Sequence, residues 1–280
     1  MIHNIRVMPA ASLYIVATPL GNLEDITLRA LRILSEVDVV AAEDTRHSRG
    51  LLAHHGIECK LLALHEHNEE KQAPQLVERL LAGESIALIC DAGTPLLSDP
   101  GYRLISLAIE KGVAVVPVPG ASAVTAALSV AGLPTDRFAF EGFLPPRQGA
   151  RLKRLQALAT EQRTLVFYES SHRIAAFLAD LEAAFGGQRQ VAVCRELTKQ
   201  FETVLRGPVE EVRQAVENDD NQRKGEFVVL VHGHAEDADS GLDAALLLAR
   251  ELKESIGASQ AARIAARIHG VQRRDLYRLL

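Results

Sequence analysis

Short Val- and Ile-rich runs alternate with longer helix-like segments through the first half of this chain, and that alternation restricts the fold more than any other feature. Apolar runs at residues 13–17, 37–42, 61–64, 86–90 and 113–118 have the length and composition of buried strands. Helical patterns follow at 26–35, 45–56, 74–81, 102–112 and 122–131. Asn68 is the expected N-cap of the third helix; Ser98 or Asp99 is that of the fourth, with Pro100 at its first helical position. This order builds a parallel, doubly wound sheet. Gly132-Leu-Pro-Thr-Asp136 reads as a joint, after which strands are expected at 138–143, 164–168, 191–194, 202–205 and 227–231. Helices at 151–161, 173–185 and 209–216 interrupt them in an order that suggests a mixed sheet. The expected organisation is a tail at 1–12, an α/β domain at 13–133, a second at 134–233, and a linker with a helix-turn-helix-like segment at 234–280.

Composition narrows the function classes. The 280 residues are 48% apolar with a net charge of −5, enough for two packed domains and too acidic for a protein that coats nucleic acid non-specifically. Any RNA contact must use local basic patches. The three cysteines, Cys59, Cys90 and Cys194, have neither disulfide-framework nor zinc spacing. His65-Glu-His67 lacks a third ligand at recognisable spacing and reads as a strand end, so no metal is expected. The first eleven residues have no signal-peptide core and no apolar run has transmembrane length, so a cytoplasmic protein without a membrane partner is expected.

Chemistry is concentrated in loops that follow strands, where open α/β sheets bind ligands. Residues 85–101 run from an apolar strand straight into Asp91-Ala-Gly-Thr-Pro95 and Ser98-Asp-Pro-Gly101, a carboxylate within a bare-backbone turn. Thr18-Pro-Leu-Gly-Asn-Leu-Glu-Asp25 follows the first strand; it has neither the Gly-Lys-Ser/Thr ending of a P-loop nor the GxGxxG fingerprint. Ala42-Glu-Asp-Thr-Arg46 places two carboxylates and an arginine at a strand end, which also suits a plain helix start. Pro119-Gly-Ala-Ser-Ala123 leads into a helix with unsatisfied amides. In the second half, Phe167-Tyr-Glu-Ser-Ser-His-Arg173, Cys194-Arg-Glu-Leu-Thr-Lys199 and the strand entry at Glu226 place further charge at strand ends.

Taken in order, these motifs resemble the tetrapyrrole methylases, and in particular the branch that methylates a cytidine ribose 2′-oxygen in small-subunit ribosomal RNA. The resemblance spans about residues 13–233 and extends into the C-terminal helices; Ala42-Glu-Asp-Thr-Arg46 and Phe167-Tyr-Glu-Ser-Ser-His-Arg173 are its specific part. Leu20 and Ser171 depart from the residues frequent in the family. It implies two α/β domains with S-adenosylmethionine in the cleft between them, and a homodimer. It assigns cofactor contacts to Pro19, Gly21, Asp91, Gly93, Thr94, Pro95, Ser122, Ala123, Tyr168 and Glu226. S-adenosylmethionine has no phosphates, so turns offering backbone groups and a carboxylate for the ribose would suffice.

A 2′-hydroxyl is a weak nucleophile that benefits from a base. Asp44, Glu169 and Lys199 are the first candidates, with Glu43 and His172 also at strand ends. Arg46, His172, Arg173 and Arg195 are candidate substrate contacts, the arginines as phosphate holders. Arg147, Arg151, Lys153 and Arg154, and then Arg263, Arg267, Arg273, Arg274 and Arg278, are candidate contacts to a ribosomal RNA or particle. A methyltransferase for an acidic tetrapyrrole, or a noncatalytic RNA- or ribosome-binding protein that retains the cleft, are the competing readings.

Overall fold

A computed structural model describes residues 11–234 and 238–280. The tail expected at 1–12 lies largely outside the described residues, and the linker that opens the segment expected at 234–280 lies partly outside them. Strands β1 (Ser12–Val16), β2 (Val39–Ala42), β3 (Leu61–Ala63), β4 (Ile86–Ile89) and β5 (Ala114–Val118) form a parallel sheet in the order β3-β2-β4-β1-β5. Helices α1 (Leu28–Glu36) and α2 (Thr45–His54) accompany one face, and α3 (Glu69–Leu81) and α4 (Tyr102–Glu110) the other. Alternate strand residues feed the two cores: Val39, Ala41, Ile86 and Leu88 pack with α3 and α4, while Val40, Ala42, Ala87 and Ile89 pack with α1 and α2. Burial on both faces explains the unbroken apolar runs.

Helix α5 (Ala123–Ala131) leaves this sheet and packs its Val124, Ala127, Leu128 and Ala131 on a second one. That sheet comprises β6 (Phe138–Phe143), β7 (Thr164–Ser170), β8 (Gln190–Arg195), β9 (Thr203–Pro208) and β10 (Glu226–Val231), in the order β6-β7-β10-β8-β9. Only β6 and β7 run parallel, so the sheet is mixed, as expected. Helices α6 (Gln148–Ala157), α7 (Ile174–Phe185) and α8 (Val209–Asn218) supply its other core. Residues 11–159 and 163–232 form one compact unit containing both sheets; 160–162 and the described residues from 233 onward form another. In the latter, α9 (Ala238–Ile256), α10 (Ala258–His269) and α11 (Arg273–Leu279) close on a core of alanines with Leu276.

Two helix starts differ from the sequence expectation. Helix α3 begins at Glu69, with Pro74 inside it; Asn68 occupies the N-cap position but bonds backward, accepting from His65 N and donating to Ala63 O. Helix α4 is capped neither by Ser98 nor by Asp99, and Pro100 lies outside it. Its N-cap is Gly101, at φ +123°, where a Cβ would stand 2.6 Å from Leu88 Cδ2. The cap is supplied from α3: buried Glu69 accepts from Arg103 N at 2.8 Å and Leu104 N at 3.2 Å. A carboxylate at the positive end of a helix satisfies two orphan amides.

Candidate functional site

The turns after β1 and β4 and the start of α5 are tied into one surface. Thr18 and Gly93 exchange backbone hydrogen bonds of 2.8 and 3.0 Å, and Thr94 Oγ1 donates to Ala121 O at 2.9 Å. Gly93 is at φ +84°, which glycine adopts at little cost, and its missing Cβ would sit 3.1 Å from Leu20 Cδ2. Leu96 and Ser98 also hold positive φ, at 78° and 73°, without being glycine. Strain of this kind collects at functional loops. The surface forms one wall of a cleft of about 460 Å³; the second sheet forms the other through Phe143, Tyr168, Cys194 and Val228.

Three carboxylates face this cleft from the first sheet: Glu43, Asp91 and Asp99. Burial, with the charges of Asp99 and Asp91, raises the pKa of Glu43. Burial and the Asp91 charge push Asp99 up to about 6, against the lowering effect of a hydrogen bond with the Cys90 thiol. Burial and the Asp99 charge push Tyr168 up to about 12. Glu43 and Asp99 are thus perturbed by neighbouring carboxylates, with no cation among the causes.

The second wall is arranged the other way. Lys199 Nζ lies 2.9 Å from both Glu196 Oε1 and Glu226 Oε2, and Glu196 Oε1 also accepts from Glu226 N. Burial would lower the Lys199 pKa, but the hydrogen bonds to Glu226 and Glu196 outweigh it and hold the ammonium charged. A permanently protonated lysine is a poor base. Its aliphatic stem crosses Gly21, where a Cβ would stand 2.3 Å from Lys199 Cγ.

The other sequence-nominated residues fall into three groups. Asp91, Gly93, Thr94, Ala123, Tyr168, Glu226 and Lys199 line the cleft, and Glu169 borders it. Buried Pro19 and Pro95 support the turns, and Ser122 turns its carbonyl into α5 to accept from Ala126 N at 2.9 Å. The rest lie away from the cleft lining. Asp44 is exposed and caps α2, accepting from Arg46 N at 2.7 Å, a bond that holds its carboxyl below the ordinary range. Arg46 and His172 are exposed outside the cleft lining. Arg173 donates to Leu144 O at 2.8 Å and lies 3.1 Å from Glu169. Arg195 is buried, donating to Lys224 O and Phe201 O at 2.8 Å each.

Glu169 illustrates why adjacent residues part company. It shares a face of β7 with Phe167, whose ring packs 5.5 Å from that of Phe177 in α7, whereas Val166 and Tyr168 turn toward α5 and the cleft. Its Oε1 accepts from Ser170 N at 2.8 Å; its Oε2 is buried with no hydrogen-bond partner among the described residues, and burial raises the pKa of the carboxyl. Asp99 and Phe143 were missed as individual site residues. Asp99 lay within a recognised loop with no local sign of its direction, and Phe143 sat in a strand with no site signal at all.

S-adenosylmethionine fits what these residues offer. The volume is typical of small-molecule sites, no phosphate-binding turn is needed, and unneutralised carboxylates suit a donor that carries positive charge on its sulfonium and ammonium groups. The comparisons agree. The family model "Tetrapyrrole (Corrin/Porphyrin) Methylases" matches residues 12–213, and "RsmI C-terminal HTH domain" matches 236–280. Proteins named ribosomal RNA small subunit methyltransferase I are similar over nearly their whole length. That of Xylella fastidiosa is 54% identical, covering 95% of this chain and 97% of the relative. That of Pseudomonas aeruginosa is 51% identical, covering 96% of each. In fold, the chain is similar to cobalt precorrin-4 methyltransferase (TM-score 0.58, 19% identity, 81% of this chain and 98% of that one). It is likewise similar to diphthine synthase (TM-score 0.59, 18% identity, 79% and 89%). A uroporphyrin-III C-methyltransferase of Thermus thermophilus complexed with S-adenosyl homocysteine also shares the fold (TM-score 0.53, 22% identity, 78% and 96%). With its two sheets, its cleft and its motifs all accounted for, the chain belongs to the tetrapyrrole methylases, a family of S-adenosylmethionine-dependent methyltransferases.

Proposed function

We propose that this chain transfers a methyl group from S-adenosylmethionine to the ribose 2′-oxygen of a cytidine in small-subunit ribosomal RNA. The observation that carries the choice of acceptor is the sign of charge in the cleft. Glu43, Asp91 and Asp99 lie there without a cationic partner among the described residues, so a carboxylated macrocycle would meet three like charges. RNA avoids that conflict, because a single nucleoside can enter while phosphates stay outside. The exposed arginines Arg263, Arg267, Arg273, Arg274 and Arg278 of α10 and α11 suit those phosphates, as do Arg147 and Lys153. Arg151 does not belong with them: it is buried and paired with Asp180 at 2.7 Å. Arg154 is tied to Glu141, also at 2.7 Å. The names of the relatives, which reach across the C-terminal helices, support the same reading.

When bound, the sulfonium supplies an electrophilic methyl carbon. The chain's own task is to align the hydroxyl oxygen with it and to accept the hydroxyl proton as the oxygen–carbon bond forms and the carbon–sulfur bond breaks. Asp99 is the proton acceptor in this reading, because it faces the cleft and ionises near pH 6. It replaces Asp44, whose carboxylate caps α2, Lys199, held between Glu196 and Glu226, and Glu169, whose Oε1 is taken by Ser170 N and Arg173 and which shares the β7 face of Phe167. The turns around Gly93 and Thr94 hold the donor by main-chain groups. Arg46 and His172, exposed at strand ends, remain available to the RNA strand. The protein is read as a cytoplasmic homodimer; apolar Tyr102 and Ile109, largely exposed on α4, support a covered face.

Labelled S-adenosylmethionine incubated with small-subunit RNA or particles, followed by nuclease digestion and mass spectrometry, tests the assignment. The expected product is 2′-O-methylcytidine. Label in a tetrapyrrole but not in RNA would sink it, and donor binding without transfer to either would favour a noncatalytic binding protein.

A further inference from the structure

An irregularity in β6 aims one aromatic ring into the cleft. β6 pairs with β7 in register as far as Phe140↔Val166 and then resumes at Gly142↔Phe167 and Phe143↔Tyr168, so Glu141 is an inserted residue. Gly142 takes up the extra length at φ +62°, and a Cβ there would stand 3.0 Å from Ser98 Oγ on the loop after β4. Strand residues alternate faces, so without the insertion Phe143 would oppose Phe140. With it, both rings meet Tyr168 edge-on, at 5.0 and 5.5 Å between centroids. Bulges beside active sites redirect side chains in this way.

The ring so placed is only partly used by the protein. Phe143 lines the cleft yet remains 54% exposed, while Tyr168 beneath it is held by two aromatic neighbours. β6 is the outer strand of its sheet, and the chain continues from it through Pro145-Pro146 to exposed Arg147 and, on α6, exposed Lys153. Arg154 anchors α6 to Glu141, the inserted residue itself. An exposed aromatic face followed in the chain by two exposed cations that pair with no acid among the described residues is a combination that suits single-stranded RNA, by stacking a base and holding its phosphates.

We propose that Phe143 is the stacking platform for the base of the acceptor nucleotide, with Arg147 and Lys153 receiving the flanking phosphates. This rests on the RNA reading above. The donor, in contrast, is served by the turns of the first sheet, on the opposite wall.

The test uses full-length protein with Phe143→Ala and Phe143→Tyr. Methyl transfer to small-subunit particles is measured alongside calorimetric affinity for S-adenosylhomocysteine. Loss of the ring should lower kcat/KM for the particle by about tenfold or more, mainly through KM, and Phe143→Tyr should restore it. Affinity for S-adenosylhomocysteine should stay within about twofold in both, since a half-exposed ring contributes little to the fold. Normal transfer by Phe143→Ala would overturn the proposal. So would a matching loss of S-adenosylhomocysteine affinity, which would assign the ring to the donor's adenine. Failure of the wild-type protein itself to label the particle would overturn the acceptor assignment, and the stack with it.

Discussion

The loops after β4 and after β8 carry four of the five non-glycine residues with positive φ among the described residues, Leu96 and Ser98 in one, Glu196 and Thr198 in the other. Both border the same cleft, yet they treat charge in opposite ways. The first presents Asp91 and Asp99, joined by Glu43, with like charges as neighbours. The second closes on itself, with Lys199 between Glu196 and Glu226 and its stem laid over Gly21. Unpaired buried charge is costly and persists where a ligand or a reaction uses it, whereas a compensated triad holds a wall in place. The comparison assigns chemistry to the first loop and shape to the second.

Asp99→Asn is the sharpest way to break that assignment. Transfer should fall by about a hundredfold. The wild-type rate should climb with pH through about 6, where Asp99 ionises, and the variant should lack that limb. Stability should move the opposite way. The Asp99 pKa is about 6 when folded against 3.8 for the ordinary side chain, so its stabilising contribution is complete below pH 3.8 and lost as pH rises through 6. The uncharged variant should therefore melt a few degrees higher at pH 8, the gain vanishing toward pH 4. Thermal scans at the two pH values decide this.

A smaller effect is expected from Gly93→Val. The side chain would need φ +84° and would crowd Leu20, costing about 2 kcal/mol in urea unfolding, with donor affinity falling in parallel. Lys199→Met should be milder still. The stem over Gly21 survives, and only a half-exposed ion triad is lost, about 1 kcal/mol at low salt and less in 0.5 M salt. A large, salt-independent loss would show that the second loop does more than shape the wall.

Much of this was legible in the sequence because strand ends are local events. A buried apolar run that stops at Asp91-Ala-Gly-Thr-Pro95 signals both a turn and its place in the sheet. What could not be read depends on distant partners. Arg151 and Arg195 look like surface cations, but Asp180 and the carbonyls of Lys224 and Phe201 draw them inside. Tyr168 and Glu169 are neighbours in one motif, and only the packing of α5 and α7 on opposite faces of β7 turns the first into the cleft and leaves the second at its border. The start of α4 is fixed by Glu69, 34 residues before Arg103. Phe143 depends on a single inserted residue, which no periodicity reveals.

The division between the two loops is tested most directly by calorimetric binding of S-adenosylmethionine to Asp91→Asn and Lys199→Met, measured side by side at pH 8. Asparagine can still accept from Asp44 N, as Asp91 Oδ1 does at 3.1 Å, so the first change removes charge with little change of shape. Affinity should fall about tenfold or more in Asp91→Asn and stay within about threefold in Lys199→Met. Unchanged affinity in Asp91→Asn together with a large loss in Lys199→Met would contradict the assignment.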